Sequence, residues 1–161
     1  MIFSKLIKFV SAGLLAPVMF LASASMPAGA NPKVTVLAFG LFGAQSVFES
    51  EAKGAASIVA QRLSTGPVVV RANTKTRGDV TIASIRNILQ STAERMDRES
   101  DVLFLILTSH GSQDGVAVEA GRRSEILSPV DLAEMLKRAG VRHRVVVISA
   151  EPLESRLRST S

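Results

Sequence analysis

Residues 101–111 read D-V-L-F-L-I-L-T-S-H-G, an unbroken apolar run that stops in a polar elbow carrying one of the two histidines of the chain. The run is too short to cross a bilayer and too uniformly apolar for a strand with one wet face. It reads as a central strand covered on both sides. His110 then stands at its carboxyl end, where open α/β sheets gather ligands and catalytic groups. A second run of the same kind, R-V-V-V-I-S-A over 144–150, is followed by Glu151 and Pro152.

Between and before these runs, strand and helix patterns alternate. Residues 33–39 (K-V-T-V-L-A-F) are β-branched and apolar, and Gly40 and Gly43 end them. Residues 45–63 place Val47, Phe48, Ala52, Ala55, Ala56, Val59 and Leu63 on one helical face by their spacing of three and four. Gly66 and Pro67 break that helix before a short strand, Val68-Val69-Val70. Asp79 or Thr81 caps a second helix that reaches about Met96 and buries Ile82, Ile85, Ile88 and Leu89. Residues 115–127 form a small hairpin that turns over Ala120-Gly121-Arg122. Ser128 caps a third helix, with Pro129 at its first position and Asp131 at its third, and Gly140 closes it. The order β-α-β-α-β-hairpin-α-β calls for an α/β fold, a three-layer α/β/α sandwich around a mainly parallel sheet.

The first 30 residues have a different character. Lys5 and Lys8 precede an apolar stretch over 9–24, and Ala28-Gly29-Ala30 supplies small residues at the spacing a signal peptidase needs. The expectation is a signal peptide over 1–30, cleavage after Ala30, and a periplasmic or secreted single domain over 31–150 that has left the membrane. Cleavage lowers the net charge from +5 to +3, because the leader contains two lysines and no acid. Arg86, Arg95, Arg122, Arg123, Arg142 and Arg144 are scattered and aromatic residues make up 4% of the chain, which argues against a nucleic-acid stacking platform. With no cysteine in the chain, disulfides, thiolate metal sites and a thiol nucleophile are all excluded.

In the elbow T-S-H-G-S-Q-D-G over 108–115, turns on either side of His110 leave the imidazole facing out from the sheet end, the position a general base wants. Ser109 and Ser112 are candidate nucleophiles for it, but neither lies in a strand-turn-helix G-x-S-x-G elbow. Asp114-Gly115 reads as a turn. His143, between Arg142 and Arg144, reads as a surface residue, and two distant histidines without a nearby carboxylate make neither a metal site nor any other cofactor site.

A strand ending in T-S-H-G-S, a hairpin, a capped helix and a strand ending in V-V-I-S-A resemble the legumain family of cysteine peptidases, bacterial secreted members above all. The family also includes the transamidase that attaches GPI anchors. The resemblance covers most of 33–150, and its specific part lies in 101–115 and 144–150. It implies a caspase-like fold, with His110 as general base, Gly111 as a candidate oxyanion donor, and a cysteine after Ala150 that attacks peptides following asparagine or aspartate. Position 151 is Glu, and Pro152-Leu153-Glu154-Ser155-Arg156 replace the glycines that follow the nucleophile.

Residues 151–161 have neither strand nor helix periodicity, so they are expected to be a divergent, disordered tail on a caspase-like fold incomplete at its carboxyl end. A shifted frame or a truncated gene produces such a join. Three functional expectations follow: a legumain-like endopeptidase acting on peptide or protein substrates but inactive in this form, a secreted non-catalytic peptide-binding protein, or an unrelated α/β hydrolase that uses Ser109 or Ser112 with His110. Val145-Val146-Val147-Ile148 is also expected at an unprotected sheet edge, prone to self-association. The leader is directly testable: amino-terminal sequencing of exported protein is expected to begin at Asn31, and an intact Met1 in the membrane fraction identifies an anchor instead.

Overall fold

The central strand, β3 (Val102–Ser112), owes its place to side chains that are apolar on both faces. The computed structural model describes residues 31–63 and 66–152, so the expected leader over 1–30 and the expected tail beyond Pro152 lie outside the described residues. β1 (Val34–Gly40) and β6 (His143–Pro152) both pair in parallel with residues 102–108 of β3, and therefore lie on opposite sides of it. β2 (Val68–Ala72) adds to β1, also in parallel. β4 (Gly115–Ala120) and β5 (Arg123–Leu127) form an antiparallel hairpin joined to β3 at Gly111 and Ser112. Because Gly111 pairs with Pro152 as well as with Val116, the hairpin is on the β1 side, beyond the end of that strand. The described chain is thus mixed α/β, with a mostly parallel six-stranded sheet and three helices.

The alternation of β3 sorts the core. Phe104 and Ile106 meet Val36 and Ala38 of β1, with Ala52 and Ala56 of helix α1 (Ser46–Leu63) above them. Leu103, Leu105 and Leu107 point the other way, toward Ile85 and Leu89 of α2 (Ile82–Ala93) and Leu132, Met135 and Leu136 of α3 (Pro129–Ala139). Both later helices start where the sequence signals a cap. Thr81 accepts from the Ser84 amide at 3.1 Å while Ser84 Oγ accepts from the Thr81 amide, a reciprocal box worth about 1 kcal/mol. Ser128 accepts from the Asp131 amide, Pro129 opens α3, and Gly140 closes it in the left-handed region at φ 69°.

Three elements differ from the sequence expectation. The first is α2, which ends at Ala93 and not near Met96 because the Arg95 and Met96 amides bond back three residues, to Thr92 and Ala93, and tighten the chain out of the helix. In α1 the buried stripe is Phe48, Ala52 and Ala56, a narrow i, i+4 seam. Val47 sits one residue off the seam and Leu63 falls in the last turn, and they are 42% and 54% exposed. The strand expected over 144–150 runs on through Glu151 and Pro152, so these two residues belong to the sheet. An edge strand accepts proline because its missing amide need not serve a neighbour. β6 is exposed over nearly its whole length, and only Val146 packs against the larger core.

Two buried polar side chains fix this arrangement. Asp101 receives the Lys33 amide on Oδ1 and the Asp97 amide on Oδ2, both at 2.9 Å, and so clamps the first residues of β1 to those of β3. Asn73, 1% exposed, donates to the carbonyls of Leu41 and Val80 and accepts the Val80 amide at 2.9 Å. It ties the loop after β1 to the approach to α2. Asn73→Ala orphans these backbone groups in the interior and is expected to cost about 3 kcal/mol, read as a lower urea midpoint at unchanged slope.

Candidate functional site

The carboxyl ends of β1, β3 and β6 and the first turn of α1 meet at one edge, and His110 lies at their centre. Gly40 makes this convergence possible, because a Cβ there would stand 2.7 Å from the Phe48 carbonyl oxygen. Thr108, on the same face of β3, donates its hydroxyl to that carbonyl at 2.7 Å. The start of α1 is thereby pinned over the sheet with Phe48 facing inward.

His110 is half-buried between two rings. Phe42 and Phe48 present edge-to-face contacts to the imidazole, with centroids 4.7 and 4.9 Å away, and also touch each other at 6.0 Å. Gln45 approaches Nε2 through its amide nitrogen at 3.0 Å. An amide nitrogen only donates, so with the Gln45 amide in this orientation Nε2 accepts and a neutral ring carries its proton on Nδ1. Nδ1 is buried and has no hydrogen-bond partner among the described residues. A buried donor left unpaired next to a sheet end is costly, and such groups concentrate at functional positions.

Glu151 is the direct register partner of His110, as Ala150 is of Ser109. Side chains of partners on adjacent parallel strands project to the same face, so Glu151 shares the α1 side with His110. Ser149, two residues earlier, reaches Glu51 of α1 at 3.5 Å and marks that face independently. Gly111 falls on the opposite face, where a Cβ would stand 2.9 Å from that of Ala150. Glycine there lets the two strand ends stay paired beside the imidazole.

The serines are not part of this group. Ser109 is fully buried and its hydroxyl donates to the Ala117 carbonyl at 2.5 Å, on the face away from His110. Ser112 spans the hairpin turn, accepting from the Asp114 amide at 3.2 Å and donating to the Gly115 carbonyl at 3.5 Å. Asp114 is exposed in that same turn. His143 pairs with Val102 at the other end of the sheet, eight register positions from His110, roughly 26 Å along the strand. No group of three potential metal ligands converges among the described residues.

Gln45, which contacts the imidazole, also lines a cleft of about 600 Å³ with Gly43, Ser46, Glu49 and Thr74 to Thr76; His110 itself is not in its wall. Glu49 on its wall is held below the usual carboxylate range, chiefly by a hydrogen bond and the charge of Lys53 at 2.7 Å, with Arg77 adding to it. The sequence singles out His110 and position 151, which the fold makes register partners, and gives no signal for Phe42, Gln45 or this cleft. Phe48 carried a signal only as a core position of a helix.

No family model matches the chain, and neither does any curated protein. The geometry of the ring makes its own prediction. Long-range proton–nitrogen spectra are expected to show His110 as the Nδ1–H tautomer, and Gln45→Ala to shift the Nε2 resonance while leaving that of His143 in place.

Proposed function

We propose that the chain has the framework of a legumain-like cysteine peptidase, a caspase-like three-layer α/β/α domain, and that in this form it does not cut peptides. The observation that carries the reading is the register that pairs His110 with Glu151 on one face, at the carboxyl ends of adjacent parallel strands. The resemblance implies a histidine and a cysteine at those two positions. The hairpin leaving β3 immediately after the His-Gly pair, and the capped helix before β6, support the same reading.

The chemistry follows from what stands at 151. A peptidase of this kind needs a nucleophile whose ionised form attacks an amide carbonyl, with a base beside it and backbone amides to hold the oxyanion. Cysteine is partly ionised near neutral pH and intrinsically reactive. A carboxylate is ionised but a poor nucleophile toward amides. His110 and Gly111 then keep the places of base and oxyanion donor without a partner that can use them. Ser109 offers no substitute, because its hydroxyl lies across the sheet and is committed to Ala117.

The wild-type protein is expected to release no product from asparaginyl or aspartyl peptides. Turnover that disappears in His110→Ala would overturn this. In Glu151→Cys, alkylation by iodoacetamide followed against pH is expected to show a thiolate forming below the ordinary value of about 8.5, with the shift lost when His110→Ala is added. Identical profiles with and without His110 would remove the framework reading itself. Peptide turnover in Glu151→Cys is expected to stay marginal, because Pro152 and Leu153 follow where the resemblance calls for glycines.

A further inference from the structure

Among the described residues the sheet has three outer strands, and they are not alike. β2 and β5 are each five residues long and carry charge, Arg71 in the first and Arg123 and Glu125 in the second. Short, charged strands are the usual protection of an edge. β6 pairs with β3 over ten consecutive positions, and among the described residues no strand pairs with its other side. Val145, Val147 and Ile148 are 41%, 40% and 47% exposed along it, distributed over both faces. Its ionisable side chains are segregated, with His143 and Arg144 at the start and Glu151 near the end.

From this distribution we infer that the occupant of the β6 edge is a second copy of β6, antiparallel about a two-fold axis through Val147. Strands related by such an axis keep their faces, so only registers that oppose residues of the same face are allowed. With Val147 opposite its own copy, Val146 meets Ile148, Val145 meets Ser149, Arg144 meets Ala150, whose small side chain leaves the guanidinium room to reach water, and His143 meets Glu151 twice. Moving the axis to Ile148 sets the Glu151 carboxylate against Val145. Moving it to Val146 sets Arg144 against Ile148 and leaves Glu151 unmatched. The match of His143 with Glu151 therefore selects one register. Pro152, which has no amide to donate, ends the ladder just outside the last pair. The inference does not depend on the catalytic reading.

One added strand pair buries less than the roughly 1,200 Å² at the lower bound of stable interfaces, so the dimer is expected on the order of tens of micromolar. Because the chain has no cysteine, single cysteines report the register cleanly. The full chain is expressed with Val147→Cys, Val145→Cys or Ser149→Cys, and the recovered protein is oxidised with oxidised glutathione. Directly opposed Cα atoms lie about 4.5–5.5 Å apart, within disulfide reach, whereas the copies of residue 145 or 149 are displaced by about 13 Å. The disulfide dimer of Val147→Cys is expected to form at least about tenfold faster than either of the others. In sedimentation, His143→Glu is expected to abolish the dimer by opposing Glu to Glu151, and adding Glu151→Lys is expected to restore it. Equal cross-linking at the three positions, or a monomer at ~100 µM for the unaltered protein, would overturn the proposal.

Discussion

The alternation of side chains along β3 is the constraint from which the other placements follow. Even-numbered residues from Phe104 to His110 face α1, and odd-numbered residues from Leu103 to Leu107 face α2 and α3, with Ser109 on their side bonded to the hairpin. A slip of one residue against β1 or β6 would exchange the two sets, burying His110 among leucines and turning Leu105 toward a helix of alanines. With ten partners on one side and seven on the other, the register of this strand is determined several times over.

The same alternation decides the chemistry of the elbow. Adjacent residues Ser109 and His110 are neighbours in sequence and strangers in space, whereas His110 and Glu151 are far apart in the chain and stand side by side. A motif read as letters treats T-S-H-G-S as one cluster. The pleat divides it between a structural hydroxyl facing the hairpin and an imidazole facing two phenyl rings.

Those parts of the molecule that depend on local physics were legible in the sequence. The apolar run of β3, the Thr81 cap, and the Ser128-Pro129 start and Gly140 stop of α3 each follow from a few consecutive residues. What escaped depends on contacts between distant segments. Nothing near Phe42 indicates that it will meet His110, and Asn73 in a polar stretch looks like any loop residue until its amide is found bridging Leu41 and Val80. Val47 and Leu63 were misjudged because periodicity gives the direction of a helical face but not its width, and alanines make the seam of α1 narrow. Glu151 and Pro152 read as tail residues because neither favours a strand; the ladder with β3 carries them along.

The clamp at Asp101 also has a bearing on how the chain finds this structure. Its carboxylate joins the Lys33 amide across 68 residues, and the β1–β3 ladder that begins beside it has the same span. Parallel pairing of this reach requires a long loop to close before any contact repays the entropy lost. Every central contact of the sheet is non-local in this way, while the caps and turns are local. The central ladder therefore carries a high loop-closure cost that the caps and turns, closed by neighbouring residues, do not.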